Sequence, residues 1–255
     1  MKMESYLNMK TIFKIDNSTY VLMLLGLLSG YIKNFFIIFI IVLIHELGHV
    51  FFFYLFNYDV ESVVIYPFGG VTKVNKRIHE RIYKDVVISL GGIFFQILLF
   101  FLVYFLYYGD FIVKSTYDMF CTYNMRVILF NLIPIIPLDG SKLLFAISTK
   151  YFSFRFSYSF MIMVGVVCLV LFMIYNCIFK LNDVVIYAFL IINLCNVIKE
   201  YRYLLNRFYL ERILYDNYYD KIVYGKNVDK MMINKFYYFD VDGLRVSEKK
   251  YLLRK

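Results

Sequence analysis

The residues best suited to chemistry are His45, Glu46 and His49, which form the pattern His-Glu-x-x-His within an apolar run. Side chains four positions apart on an α-helix share one face, so both imidazoles can bind one metal ion while the carboxylate between them reaches a water on that ion. Each ionisable residue in a membrane span costs roughly 2 to 3 kcal/mol or more at the bilayer centre, so packing alone explains the cluster poorly. The alternative is a buried histidine pair with Glu46 as its counter-ion.

Asp139 is the candidate for a third ligand. A catalytic zinc site usually has three protein ligands and one position open to water, and Asp139 is the carboxylate that lies deep in another apolar segment. Pro134 and Pro137 interrupt the helix before it and Gly140 follows it, a break that is tolerated at membrane depth where the chain lines a protein cavity. A helix cap at the proline break is the alternative role for Asp139. Zinc is the expected metal, although iron and cobalt accept similar ligands.

Two other candidate ligands are weaker. Asp183 stands at the edge of an apolar run, where water solvates it without help from a metal. His79 lies among charged residues in a loop and is expected on the surface. The four cysteines show no spacing typical of a metal site or a disulfide framework.

The composition places these residues in a polytopic membrane protein. Hydrophobic residues make up 61% of the chain and charged residues 18%, which excludes a soluble single domain. Three apolar stretches are long enough for a membrane span, at residues 34–56, 86–108 and 160–179. A fourth, 125–147, contains Asp139 and must face protein or a wet cavity.

Two shorter apolar runs, 20–32 and 184–198, bring the predicted number of spans to about six, with re-entrant segments as the alternative for both. With both termini in the cytoplasm, 23 of the 28 Lys and Arg residues fall in cytoplasmic segments, an asymmetry that five spans would scramble. The net charge of +9 therefore has a role in topology, and no nucleic-acid partner is expected.

The fold class expected is thus an all-α polytopic membrane protein with a small cytoplasmic appendage at its C-terminus. Residues 1–198 are predicted to form the transmembrane domain and residues 199–255 the cytoplasmic tail. Within the tail, residues 237–246 alternate like a hairpin around Asp242-Gly243, and Ser247 is placed to cap a last short helix. A tail of this length buries little core alone, so we expect it to pack on the membrane domain or a partner.

Two motifs together resemble the site-2 protease family of intramembrane zinc metalloproteases: His-Glu-x-x-His, and Asn-x-x-Pro-x-x-Pro-Leu-Asp-Gly at residues 131–140. The resemblance covers roughly residues 34–147. It implies that His45, His49 and Asp139 are the zinc ligands and that Glu46 is the general base. It also implies that Asn131 holds the substrate or an intermediate.

Two further stretches fit this resemblance. Residues 60–74 alternate like two strands around a glycine turn and are similar to the family's re-entrant hairpin, which offers an edge to an unwound substrate; a plain cytoplasmic hairpin is the alternative. Residues 89–92 open the third span where the family often has Gly-Pro-x-x-Asn. Ile93 and Gln96 depart from that pattern, which leaves a close-packing role for the glycines and an open question at position 96.

The number of spans, the lack of an insertion long enough for a PDZ domain and the short tail are most similar to the sporulation branch of the family. That branch releases sigma-K from a membrane-tethered precursor, pro-sigma-K, and is held in check by membrane partner proteins. Many members end in a nucleotide-sensing CBS domain, to which this tail has no convincing match.

The function expected from the sequence is therefore zinc-dependent hydrolysis of a peptide bond in or near the membrane segment of a tethered protein. Two alternatives remain. A membrane metal-handling or transport protein could use the same ligands, although the spans contain no chain of further ionisable residues. A non-catalytic scaffold could keep the fold, although a scaffold has no need of Glu46.

Overall fold

The structure is a computed structural model that describes residues 12–28, 30–66, 69–178, 184–215, 219–225, 227–241 and 244–254. Asp183 lies outside the described residues, as do Pro67 of the predicted hairpin and the turn at Asp242-Gly243. The chain divides into two compact units, of which the first contains residues 1–76 and 87–131 and the second contains residues 77–86 and 132–255.

Helices dominate the first unit. They are α1 (Asn17–Leu28), α2 (Ile32–Leu55), most of α3 (Ile82–Tyr108) and α4 (Lys114–Leu132). The ends of α2 are marked by left-handed backbone: Gly30 before it has φ +77° and Asn57 after it has φ +57°. Glycine adopts that conformation without steric cost, and asparagine tolerates it better than most residues. The two residues therefore suit the backbone just before and just after α2.

Among the described residues, three helices are long and apolar enough to cross a membrane. They are α2, α3 and residues Phe154–Tyr175 of α6 (Phe154–Ile178). They overlap the three apolar stretches at residues 34–56, 86–108 and 160–179, so the expectation of a mostly helical membrane protein is confirmed. The full set of six spans stays a prediction.

A three-stranded sheet in the first unit contains the predicted hairpin. β2 (Asp59–Tyr66) pairs antiparallel with β3 (Gly69–Asn75), and β1 (Ile12–Ile15) pairs parallel with β2 on its other side. Val60 and Val63 are buried with Val50 of α2, so the sheet packs on the helix that carries the histidines. The two strands predicted within residues 60–74 are confirmed, and their re-entrant placement stays a prediction. β1 was not predicted because four residues are too short for a clear alternation.

The fourth apolar stretch is not one helix. α4 ends at Leu132, residues 133–138 are not helical, and α5 (Asp139–Tyr151) then begins. The interruption by Pro134 and Pro137 is therefore confirmed. Gly140 is required here, because a Cβ at that position would lie 2.2 Å from the carbonyl oxygen of Leu132.

The second unit joins α5, α6 and α7 (Val184–Leu214) to the C-terminal residues. A second sheet contains β4 (Lys221–Gly225), β5 (Lys235–Val241) and β6 (Leu244–Ser247), and α8 (Glu248–Leu252) follows. The predicted hairpin is the antiparallel β5–β6 pair. Ser247 occupies the N-cap position of α8 as expected, but its side chain makes no capping hydrogen bond.

The C-terminal residues pack on the helices of the second unit, as expected for so short a segment. Their core joins Phe154 of α6 and Phe208 of α7 to apolar side chains from the tail, namely Val228, Met231, Ile233, Tyr237 and Phe239. The rings of Phe154 and Phe208 stack with centroids 4.3 Å apart. α7 continues through residue 198 without a break, so the predicted division between residues 198 and 199 falls inside a helix.

The expectation that His79 lies on the surface is wrong. Its side chain is fully buried and stacks on Phe208. Nε of Arg212 donates to its Nε2 at 3.0 Å, and its Nδ1 lies 3.4 Å from the carboxylate of Glu211. The charges around His79 in the sequence did not reveal this burial, because its partners Phe208, Glu211 and Arg212 come from α7.

Arg212 belongs to the buried polar network around His79. Its guanidinium is fully buried and bonds Glu248 at 2.6 Å, the carbonyl oxygens of Met232, Ile233 and Lys235, and the ring of His79. A buried charge is tolerated when it is paired and all its donors are used. The network therefore links α7 to the loop before α3 and to the C-terminal sheet.

Candidate metal centre

α2 carries the two histidines and the glutamate on its buried face. His45, Glu46 and His49 are 3%, 7% and 5% exposed. The imidazole rings of His45 and His49 stand edge to face with centroids 4.7 Å apart, as expected for residues one helical turn apart. The sequence-predicted pair is therefore together.

Hydrogen bonds assign the protonation of both rings. Nδ1 of His49 lies 2.7 Å from the carbonyl oxygen of Ile88, and Nδ1 of His45 lies 2.9 Å from Oε1 of Gln96. Both oxygens only accept, so each Nδ1 carries the proton and each Nε2 presents a lone pair.

The two Nε2 atoms lie 3.1 Å apart. At this separation a single cation could bind both Nε2 atoms. Neutral imidazole bound through Nε2, with Nδ1–H donating to an oxygen, is the usual form of a metal-ligating histidine. The chemistry of the donor set therefore fits a metal ion.

Glycines allow α2 and α3 to approach closely at this point. A Cβ on Gly48 would lie 2.4 Å from the carbonyl oxygen of Gly91, and a Cβ on Gly92 would lie 2.4 Å from Cε1 of His45. The close-packing role expected for the glycines that open the third span is confirmed. It is this proximity that brings Ile88 and Gln96 within hydrogen-bonding distance of the histidines.

Glu46 is held by the sheet of the first unit. The backbone N–H of Gly70, in β3, donates to Oε1 of Glu46 at 2.7 Å. A side chain on Gly70 would collide with the carboxylate, since its Cβ would lie 2.5 Å from Cδ of Glu46. The hairpin and the candidate base are thus in direct contact.

Asp139 is the first residue of α5 and is 5% exposed. Leu138 occupies the N-cap position, so the alternative in which Asp139 caps the helix is not what the structure has. Nζ of Lys142, one turn later, donates to Oδ1 of Asp139 at 2.8 Å. Lys142 keeps its own side chain more than half exposed, so it neutralises a buried carboxylate from the surface.

Among the described residues, one group of three His, Cys, Asp or Glu side chains could hold a metal ion, and it consists of His45, His49 and Asp139. Each is buried and offers one ligand atom, and these atoms all lie within 4.8 Å of one another. Ligands about 2.0 to 2.2 Å from a shared zinc ion lie at most about 4.4 Å apart, so small side-chain adjustments suffice for binding.

Asn131 lies in the last turn of α4, where its Nδ2 donates to the carbonyl oxygen of Val127 at 3.1 Å. Its side chain is half-buried. The role implied for it by the resemblance stays a prediction.

Sequence reasoning missed Gln96 and Asn124. Gln96 is fully buried and bonds both His45 and Asn124. Each is an uncharged polar residue near the middle of a helix. Polar groups at such positions in membrane proteins are often functional, and this could have marked both residues in the sequence. The sequence left position 96 open and gave no reason to pair it with Asn124.

Comparisons with known proteins agree with this chemistry. The model of peptidase family M50 matches residues 34–112 and 109–174. Stage IV sporulation protein FB of Bacillus subtilis (strain 168) is 32% identical over 211 residues, which are 80% of this chain and 68% of that protein. A site-2 protease from Methanocaldococcus jannaschii is 18% identical with a TM-score of 0.55, over 74% of this chain and 90% of that one, and it supports the fold.

The family match extends over more than half of the chain and includes both motifs. The sporulation relative is similar over most of both proteins. With the buried His-His-Asp group, these findings give a metal-dependent peptide hydrolase in a membrane. This chain belongs to peptidase family M50 and is an intramembrane metalloprotease of the site-2 protease type.

Proposed function

We propose that this protease cleaves pro-sigma-K, a membrane-tethered sigma-factor precursor, during sporulation, with a zinc ion held by His45, His49 and Asp139. The similarity to stage IV sporulation protein FB supports the sporulation role. The observation that carries the metal site is the buried group of His45, His49 and Asp139, in which the two Nε2 atoms lie 3.1 Å apart. Two imidazoles and one carboxylate are a ligand set typical of catalytic zinc.

A zinc ion bound there would supply Lewis acidity, lowering the pKa of water to about 7 and polarising a peptide carbonyl. Glu46 accepts the proton of the attacking water and returns it to the leaving amine. Its carboxylate is suited to this role because the backbone N–H of Gly70 donates to Oε1 and so orients the group.

The substrate must be unwound, because a helical carbonyl is bonded and shielded. β3 is an edge strand of its sheet and also holds Glu46 through Gly70. A peptide added along β3 would bring its carbonyl groups close to the general base. Asn131 would hold the substrate or an intermediate, as the family resemblance implies.

The topology we propose has six spans with both termini in the cytoplasm, which agrees with the distribution of Lys and Arg. Residues 20–32 and 184–198 would supply the two shorter spans, with residues 1–198 as the membrane domain and 199–255 as the cytoplasmic tail. Inhibitory membrane partners would act on this domain, as in the sporulation branch. Cysteine labelling from each side of the membrane tests the topology.

Co-expression with a tagged pro-sigma-K, followed by a blot for the shortened product, tests the function. Wild type should cleave and Glu46→Gln should not. Glu61→Gln is the matched control, because Glu61 is exposed on β2 and takes no part in the site. Cleavage that survives in Glu46→Gln would reject the mechanism.

If neither protein cleaves pro-sigma-K but both bind zinc, the metal site stands and the substrate is wrong. Metal flux in proteoliposomes without proteolysis of any membrane substrate would favour the transport alternative.

A further inference from the structure

Gln96 is the only glutamine of the chain and it is fully buried, 0% exposed, within the apolar helix α3. Burial of an amide is costly unless its hydrogen bonds are satisfied. Oε1 of Gln96 lies 2.9 Å from Nδ1 of His45, and its Nε2 donates to Oδ1 of Asn124 at 3.2 Å. Both ends of the amide are therefore used.

The polarity of these bonds is determined by a backbone atom. Nδ2 of Asn124 lies 3.4 Å from the backbone carbonyl oxygen of Gln96, and that oxygen only accepts. Asn124 must therefore present its NH₂ group to the backbone and its Oδ1 to Nε2 of Gln96. Gln96 must in turn present its Oε1 to His45.

The tautomer of His45 follows from this order. Because it faces an acceptor, Nδ1 of His45 carries the proton and Nε2 is left unprotonated, the form that binds a metal. His49 obtains the same tautomer directly from the carbonyl oxygen of Ile88, which cannot reverse its polarity. His45 faces a side-chain amide, which can flip by 180° and present NH₂ instead.

We infer that Gln96 and Asn124 form a positioning relay that holds His45 in the metal-binding tautomer, with Asn124 preventing the amide of Gln96 from flipping. Gln96 orients His45, and Asn124 acts through Gln96. This inference rests on the metal site proposed above. A flipped Gln96 would favour the proton on Nε2 of His45 and so block metal binding at that ring.

The test measures zinc affinity by chelator competition on the full-length chain in detergent. Gln96→Met keeps the length of the side chain but removes the acceptor, and we expect a loss of zinc affinity of about 10- to 100-fold. Gln96→Glu keeps an acceptor for His45, and its protonated form can also donate to Asn124, so it should restore affinity to within a few-fold of wild type.

Asn124→Leu leaves Gln96 and His45 in place and releases only the amide lock. We expect zinc affinity to fall here too, by less than in Gln96→Met. The matched controls are Ile97→Met, at an exposed position beside Gln96, and Asn193→Leu, where the asparagine bonds its own helix at Phe189. Both controls should bind zinc like wild type.

Nitrogen-15 NMR of labelled imidazoles reads the tautomer itself, because the chain has only three histidines. In zinc-free wild type we expect His45 and His79 as the Nδ1–H form, and His79 serves as the internal reference because Arg212 donates to its Nε2. In Asn124→Leu the signals of His45 should shift toward the Nε2–H form while those of His79 stay unchanged. A purely structural role would not move the tautomer.

The outcomes separate this inference from the proposed function. Wild type that binds no zinc would reject the metal site. Wild type that binds zinc, with Gln96→Met and Asn124→Leu binding it equally well and an unchanged His45 tautomer, would overturn the relay alone. Equal loss in Gln96→Met and Gln96→Glu would show that side-chain packing, not the acceptor, matters at this position. If Gln96→Met fails to fold, Asn124→Leu decides.

Discussion

The backbone N–H of Gly70 donates to Oε1 of Glu46 at 2.7 Å, although the two residues are 24 positions apart. This bond joins the β-hairpin to the proposed general base. It requires a glycine, because a Cβ at position 70 would lie 2.5 Å from the carboxyl carbon of Glu46. The β-hairpin thus holds one oxygen of this carboxylate in place.

Gly70→Ala should displace the carboxylate of Glu46 without removing any metal ligand. We expect the rate of cleavage to fall by about 100-fold, the scale that a 1 Å misplacement of a catalytic group can produce, while zinc content stays unchanged. Rate and zinc content should be measured on the same preparation. Gly26→Ala is the control, since its Cβ would be in ordinary contact 3.6 Å from Phe35. Full activity in Gly70→Ala would contradict the role of this bond.

Gly92→Ala should weaken metal binding, because its Cβ would lie 2.4 Å from the ring of His45 and push that ligand away. We expect zinc affinity to fall by about tenfold or more, a loss comparable to removing an orienting contact of a ligand. Gly165→Ala is the comparison, as its nearest neighbour would be 3.6 Å away. Equal zinc affinity in both variants would mean that α3 can move away from His45 at no cost.

Ligand and base variants should differ in zinc content. His45→Ala and Asp139→Ala should lose both zinc and activity. Glu46→Gln should keep about one zinc per chain and lose activity, because in the proposed mechanism Glu46 moves a proton and is not a ligand. Metal analysis of purified protein measures this. Asp118→Asn, on the exposed side of α4, is the control for loss of a carboxylate. Zinc retained in Asp139→Ala would exclude Asp139 as a ligand.

His79 should make stability depend on pH. Burial of its ring is the main reason that the pKa of His79 lies below its ordinary value, and it outweighs the hydrogen bond with Glu211, which acts in the opposite direction. A histidine with a lowered folded-state pKa contributes stability that is present above its unfolded pKa, about 6.5, and is lost as the pH falls toward the folded value.

Thermal unfolding of wild type and His79→Gln between pH 8 and pH 5.5 checks this. Glutamine can keep a donor for Glu211 and an acceptor for Arg212 but does not titrate, so the advantage of wild type should shrink as the pH falls. The pKa of Glu211 is also lowered, since its burial is outweighed by bonds from His79, Ile78 and Arg207, but its stabilisation is lost only at more acidic pH. Parallel curves would contradict the assignment.

Arg212→Met should destabilise the C-terminal sheet. It leaves Glu248, which is fully buried, without its cation, and the cost of an uncompensated buried charge is about 3 to 5 kcal/mol. Limited proteolysis of the tail should show faster cleavage than in wild type. Arg202→Met, at an exposed position of the same helix, should behave like wild type. A tail equally resistant in both variants would show that the apolar core around Phe208 suffices.

The sequence by itself was enough for much of the chemistry. Residues four apart on a helix must share a face whatever surrounds them, so the pairing of His45 with His49 follows from helical geometry alone. The proline break before Asp139 and the two hairpins were also predictable, because proline and alternating apolar residues act through local backbone constraints.

Only the tertiary structure decided which distant groups meet. His79 is surrounded by charges in sequence and is nevertheless buried, because Arg212, 133 positions away, places a guanidinium beside it. The tautomer of His45 depends on Gln96, and the position of Glu46 depends on Gly70. Hydrogen-bond partners across helices and sheets depend on packing, which has no local signature in the chain. The sequence therefore determined which atoms could bind metal and move a proton, and the fold determined which hydrogen bonds hold those atoms ready to do so.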